Sequence, residues 1–256
     1  MSIHTIATAC LAAAIFCAPT TLPARTLPEI QQSGTILLAT DASYAPFNFM
    51  HAGQPTGYEV EVAEAVVTKM GLKWEWKTPN FEAILPGLAQ NYWDVVIASH
   101  AITQERANIV SFTQPHYCSG GQIVSLSPHI TQIADLKGMV VAAQAPSTYL
   151  DASQKIPEVK EVKSFPTDKK AFDALINHRV NAWVTDRFIA KKMQVEGSML
   201  GLHVGQFLFV EKIAAAVAKN NHGLREEWNL RLQDLLADGT IAKISRKYFK
   251  EDITCK

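Results

Sequence analysis

Apolar and polar positions fall into short blocks whose period changes repeatedly along the chain. TILLAT (35–40) is a compact apolar run that predicts a buried strand. The turn-rich DASYAPFNF follows, and then GYEVEVAEAVVTKMG, where Val62, Ala63, Val66, Val67 and Met70 recur at helical spacing and Gly71 supplies the stop. LKWEWK alternates like a strand, FEAILPGLAQ reads as a helix, WDVVIAS as a largely apolar strand and TQERANIV as another helix. After the mostly apolar IVSL at 123–126 the pattern restarts. DLKGMVVAAQ is a strand, PSTYLDASQK starts a helix, EVKEVKSF is a strand, KKAFDALINH a helix, NAWVTD a strand ending in Asp186, and RFIAKKMQV a helix. Near the end, HGLREEWNLRLQDLLADG stripes Leu224, Trp228, Leu232, Leu235 and Leu236 onto one helical face before Gly239. Alternating strands and helices predict an α/β fold of two lobes with a helical tail, each lobe built on a parallel-rich sheet covered on both faces. Ligands in such sheets bind beyond the carboxyl ends of the strands, so the loops after VVIAS and AWVTD are where chemistry is expected.

The first of those loops leads to an arginine in an unfavourable place. Thr103 stands before QERANIV as a helix N-cap, which puts Arg106 at about the third helical position. That is the positive end of the helix dipole, where acids are expected and a cation is disfavoured by a few tenths of a kcal/mol or more. An anion arriving from solution would resolve the misfit, since unpaired helix N–H groups and a guanidinium fork both suit a carboxylate. The structural alternative is a solvated Arg106 paired with Glu105 or another neighbour.

Composition narrows the classes. With 256 residues, 48% hydrophobic and 19% charged, the chain has the make-up of an ordinary globular protein. Lys plus Arg and Asp plus Glu both number 24, so no basic surplus exists to bind a phosphate backbone, and nucleic acid is not expected as a partner. Residues 1–24, MSIHTIATACLAAAIFCAPTTLPA, contain no Lys, Arg, Asp or Glu and carry an apolar run of signal-peptide length, too short for a membrane span. They read as a signal peptide cleaved after Ala24; a buried N-terminal helix is the alternative. Neither ATAC nor AIFC has the leucine expected upstream of a lipid-attachment cysteine, so no anchor is expected on Cys10 or Cys17. Export would leave two cysteines, Cys118 and Cys255, more often paired than free in an oxidising compartment; one buried and one loose thiol is the other outcome. The histidines at 51, 100, 116, 129, 178, 203 and 222 lack metal-site spacing, and GxSxG, GxxxxGK and GxGxxG motifs are absent, so neither a metal nor a cofactor is expected.

The segments GTILLATDASYAPFNF, GYEVEVAEAV, FEAILPGLAQNYWDVVIAS, ITQERANIVSFTQPHY and ADGTIAKISRKYF occur in this order over nearly the whole chain after residue 24. Together they resemble the extracytoplasmic (periplasmic) amino-acid-binding proteins of ABC transporters, bacterial solute-binding protein family 3. The resemblance implies a two-lobed Venus-flytrap fold of type II with two hinge crossings, lobe 1 being 25–118 with 212–256 and lobe 2 being 119–211. It implies a periplasmic monomer that closes on a small amino acid or related zwitterion and delivers it to an inner-membrane permease. By the same resemblance Arg106 holds the α-carboxylate and Asp186 the α-ammonium. Tyr44 and Phe81 form aromatic walls, Ser99 and Ser147 fix the zwitterion, and Asp41 faces a side-chain charge. Tyr44 and Phe81 as core residues, and Asp41 as a turn former, are the structural alternatives. Cys118 and Cys255 would both fall in lobe 1, where a bond between them pins the tail to the body.

The chain departs from the family pattern at Ala101, which removes a hydroxyl ligand to the ammonium, and at Pro146, His178 and Asn181, which replace Gly, Gly and Asp. His100 beside Ser99 is also unusual. The sequence is compatible with two other functions. Cyclohexadienyl dehydratases share the fold and need an acid to protonate a leaving hydroxyl, for which Glu82, His100 and His116 are the candidates. A soluble sensor for a membrane partner is the other.

Overall fold

The computed structural model describes residues 23–196 and 198–255. The expected signal peptide therefore lies outside the described residues except for Pro23 and Ala24. A short first helix, α1 (Leu27–Ser33), escapes the apolar periodicity and is set by Pro28 in its first turn and a box between Thr26 and Glu29.

The first half of the sheet comprises β1 (Thr35–Ala39), β5 (Lys73–Lys77) and the two-residue β6 (Val95–Val96), with β1 parallel to both. The turn-rich stretch folds into a small antiparallel sheet of β2 (Ser43–Tyr44), β3 (Asn48–His51) and β4 (Gln54–Thr56). Its strands are too short to show a period. Covering helices are α2 (Tyr58–Lys69), α3 (Phe81–Ala89) and the six-residue α4 (Gln104–Ile109). On α2 the predicted stripe Val62, Ala63, Val66 and Val67 is fully buried, each valine contributing about 1.5–3 kcal/mol at most. Gly57 starts that helix at φ 125°, and a Cβ there would lie 2.3 Å from the Phe47 carbonyl oxygen, so only glycine fits.

The second half repeats the theme with β8 (Val140–Gln144), β9 (Glu161–Phe165) and β10 (Ala182–Asp186), where β8 is parallel to both. Its helices are α5 (Thr148–Gln154), α6 (Asp168–Ile176) and α7 (Arg187–Glu196). Two 16-residue strands, β7 (Val110–Ser125) and β11 (His203–Ala218), pair antiparallel with each other and run through both halves. The order β5-β1-β6-β11-β7-β10-β8-β9 results, so the halves are joined by two chain crossings. At the crossing a Cβ on Gly120 would stand 1.7 Å from the Phe209 carbonyl oxygen, which lets β7 and β11 approach only because that position is glycine.

The tail, α8 (His222–Ala237) and α9 (Thr240–Phe249), returns to the first half. Leu224, Trp228, Leu232 and Leu235 are buried as the stripe predicts, while Leu236 is exposed at 36%. Cys118 and Cys255 are bonded, with Cα atoms 4.8 Å apart, and the Cys118 amide donates to the Ile253 carbonyl at 3.1 Å. The bond closes 137 residues of chain and restricts the unfolded state, an effect of about 2–4 kcal/mol. Reduction should therefore lower the melting temperature by about 4–16 °C at about 2–4 °C per kcal/mol. Equal melting curves with and without a phosphine reductant, after mass spectrometry has verified reduction, would contradict this.

Candidate ligand-binding site

Where β1, β6 and β8 end, their following loops converge on a chamber between the two halves. It is lined by Asp41 and Tyr44 after β1, Ala98 and Ser99 after β6, Phe81 at the start of α3, and Arg106 on α4. From the other half come Gln144, Ser147, Thr148 and Tyr149 at the start of α5, with Glu211 from β11. Six of the seven residues singled out from the sequence thus line one chamber: Asp41, Tyr44, Phe81, Ser99, Arg106 and Ser147. The seventh, Asp186, ends β10 as read but is 1% exposed and lies behind the lining.

Arg106 occupies the expected third helical position. Its amide donates to the Thr103 hydroxyl at 3.2 Å, and its guanidinium donates to the Ala101 carbonyl at 3.1 Å. Burial lowers its pKa from the ordinary arginine value, while the charges of Glu211 and Asp151 oppose that shift. Ala101 is 3% exposed, forms a bridge to Ile213 and does not line the chamber. Ser147 caps α5, accepting from the Leu150 amide at 3.1 Å and donating to the Gln144 carbonyl at 2.5 Å.

Ser99 is held by a buried network that the sequence reading missed. Its backbone sits at φ 54°, an uncommon conformation for a residue with a Cβ. The Glu59 carboxylate, fully buried on the first turn of α2, accepts from the Ser99 amide at 2.8 and 2.9 Å and from its hydroxyl at 2.8 Å. Glu59 also accepts from Asn48 Nδ2 at 2.9 Å and from His116 Nε2 at 3.0 Å. His116 lies on β7, so the network ties the chamber floor to a crossing strand.

Three acids lie on the opposite side, Glu211 on the lining and Asp186 and Asp168 buried behind it. Glu211 accepts from the Thr148 hydroxyl at 2.7 Å and the Tyr149 hydroxyl at 2.6 Å. The Tyr149 hydroxyl also stands 3.3 Å from Asp186, which accepts from Ser119 and from the Phe188 amide at 2.7 Å. Asp168 accepts from Trp183 Nε1 at 3.0 Å and the Thr185 hydroxyl at 2.8 Å. Burial pushes Asp168 and Asp186 each up to about 7, against the pull of these hydrogen bonds, and raises Glu211 in the same direction.

The remaining walls are aromatic. Phe81 stacks on His100 at 4.5 Å between ring centres, so His100 packs behind the wall rather than pointing into the chamber. Burial first, and the Arg106 charge second, hold His100 well below its ordinary pKa. Tyr44 stacks on Phe47 at 5.6 Å. Among the described residues, the buried Tyr44 hydroxyl and Asp41 Oδ1 have no hydrogen-bond partner of normal geometry. Asp41 Oδ2 accepts from the Ser43 hydroxyl. No group of three or more His, Cys, Asp or Glu among the described residues is placed to share a metal ion.

This arrangement of loops about two crossing strands has relatives. Residues 36–251 match the family described as bacterial extracellular solute-binding proteins, family 3. The chain belongs to that family. The probable amino-acid-binding protein YxeM of Bacillus subtilis is 34% identical to it, with 84% of each chain covered. A probable amino-acid ABC transporter-binding protein of Haemophilus influenzae is 30% identical over 88% of this chain and 89% of its own. Among solved structures, an ancestral amino acid-binding protein described as a precursor of cyclohexadienyl dehydratase superposes with a TM-score of 0.80. It is 30% identical, covering 87% of this chain and 98% of its own. The family match bears out the two-lobed α/β expectation, and no helix among the described residues is long and apolar enough to cross a membrane.

Proposed function

We propose that this family member captures an amino acid or related zwitterion between its lobes and delivers it to an ABC transporter permease, as an exported, periplasmic monomer without catalytic activity. The observation that carries this reading is the chamber's charge layout: a half-buried guanidinium on one side and carboxylates on the others, as a zwitterion requires. Arg106 takes the α-carboxylate, with Ser99 and Ser147 beside it. The α-ammonium faces Glu211 and, through the Tyr149 hydroxyl, Asp186. Tyr44 and Phe81 sandwich the side chain. The lobes are 25–118 with 212–256, and 119–211. The chamber encloses about 20 Å³, the room of about one water, so a ligand enters only when the lobes part. Thermal-shift screening followed by calorimetry against the standard amino acids tests the reading, because a ligand at about 100 times its dissociation constant stabilises by about 2.7 kcal/mol. A panel with no shift and no heat rejects it.

The acid near pH 7 at Asp186 and the dehydratase-precursor likeness favour a second reading, elimination of water and carbon dioxide from arogenate. The three acids considered from sequence do not suit it: His100 packs behind Phe81, His116 serves Glu59, and Glu82 is exposed outside the chamber. Phenylalanine formed from arogenate by the purified protein would establish the enzyme reading.

Asp41 is expected to select a cationic side chain. Burial, aided by the Glu59 charge and opposed by the Ser43 hydrogen bond, pushes its carboxyl up to about 6. A cation beside it favours the ionised form, so binding expels a proton below that pH and affinity rises from pH 5 to pH 7. L-Arginine should show this rise beyond any seen with L-leucine, and Asp41→Asn should remove the difference. Calorimetry in which the wild type prefers leucine would contradict the assignment.

A further inference from the structure

Beyond Asp41 and Phe81 the cleft continues into a second cavity of about 280 Å³. Those two residues line both compartments, so the outer one is the continuation of the chamber on the side where the ligand's side chain would emerge. Its walls come from both lobes. The first contributes Asn80 and Glu82 at the start of α3, and the second contributes Thr167 and Lys170 at the start of α6.

The outer walls carry both signs of charge. Two nine-residue helices present their N-termini here. That of α6 is capped by the Thr167 hydroxyl, whereas no side chain caps that of α3. Helix N-termini together with the Lys170 ammonium favour an anion. Asp41, with Oδ1 buried and unpartnered, and Glu82 favour a cation. Among the described residues neither Glu82 nor Lys170 enters an ion pair, although the adjacent Lys169 is bound to Asp173 at 2.7 Å. Charges of both signs around one cavity, unpaired with each other, suit a ligand group that is itself zwitterionic.

We propose that the outer cavity is a second subsite, receiving the far end of an elongated amino acid whose distal group carries both an ammonium and a carboxylate. This rests on the amino-acid reading of the inner chamber and adds the ligand class: two amino-acid ends joined by a flexible chain. The inner end meets Arg106 and Glu211, the chain passes between Asp41 and Phe81, and the outer end places its ammonium against Asp41 and Glu82 and its carboxylate against Lys170 and the start of α3. Because the outer walls belong to different lobes, the distal group adds to closure as well as to affinity.

The test compares L-cystathionine with S-ethyl-L-cysteine, which keeps the inner amino-acid end and the thioether but lacks the second zwitterion. Calorimetry is run on the full protein as wild type, Lys170→Ala and Glu82→Gln, both exposed positions, with melting curves to verify folding. The wild type should bind cystathionine about ten-fold or more tightly than S-ethylcysteine, a factor of ten being about 1.4 kcal/mol. Each variant should weaken cystathionine by about three- to five-fold, as partly exposed charge contacts do, and leave S-ethylcysteine within about two-fold. Equal affinity for the two ligands in the wild type, or variants that leave cystathionine unchanged or weaken both ligands alike, would overturn the subsite. If standard amino acids bind but cystathionine has no advantage, the outer subsite alone fails. If neither probe nor any standard amino acid binds, the inner-chamber reading fails and takes this proposal with it.

Discussion

Arg106→Ala should abolish tight amino-acid binding while leaving the fold intact. The guanidinium makes one structural contact, its hydrogen bond to the Ala101 carbonyl, and α4 keeps its Thr103 cap without the side chain. Stability should therefore stay within about 1 kcal/mol of wild type, the cost of one ordinary hydrogen bond. Binding is different. Removing one partner of a buried charge pair costs about 2–5 kcal/mol, much of it from the carboxylate left unpaired, which is about 30-fold to several thousand-fold in affinity. Losing Arg106 also removes the cation that offsets the repulsion between a ligand carboxylate and Glu211. Arg106→Lys should fall between, since an ammonium keeps the charge but cannot match a carboxylate with two parallel bonds. Calorimetry showing unchanged affinity in Arg106→Ala would remove Arg106 from the site.

The parts of this site that can be read from sequence are those governed by local rules. Arg106 is marked by the Thr103 helix cap and Asp186 by the end of a strand, whereas Asp41, Ser99 and Ser147 entered only through the family resemblance. The placement of the first two depends on a few neighbouring residues. Asp186 shows where such reading stops. Its position at the end of β10 is local, whereas the orientation of its carboxylate is set by Ser119 on β7 and Tyr149 on α5, 67 and 37 residues away. Glu211 was overlooked although alternation along β11 marks it. Val210 is 69% exposed, Glu211 8% and Ile213 1%, so the acid shares a face with the core. Element boundaries failed for a similar reason. TQERANIV reads as a helix throughout, but its last residue begins β7, because a six-residue helix holds too few turns to resist a long strand pairing with β11. Strand β6 keeps only two paired residues of WDVVIAS, since the chain leaves the sheet to form the chamber floor.

Glu59 had the clearest unused signal. The stripe Val62, Ala63, Val66, Val67 and Met70 on α2, carried back one turn, lands on Glu59, an acid on the apolar face of a buried helix. Buried acids persist only where partners satisfy them, and here five hydrogen-bond contacts from Asn48, Ser99 and His116 do so. Glu59→Ala would leave the Ser99 amide, Asn48 and His116 without their acceptor inside the core. Breaking a buried polar cluster from one side costs about 3–5 kcal/mol, so melting should fall by about 6–20 °C at about 2–4 °C per kcal/mol. Glu59→Gln keeps the volume but turns one acceptor into a donor facing other donors, and should cost at least about 1–3 kcal/mol. Ser99, released from φ 54°, would then relax away from the chamber, so the glutamine variant should also bind ligand more weakly than its stability alone explains. Melting curves and calorimetry on the same preparation separate the two effects. A glutamine variant that melts within about 2 °C of wild type, a shift of about 1 kcal/mol or less, and binds normally would show that Glu59 neither supports the fold nor positions Ser99.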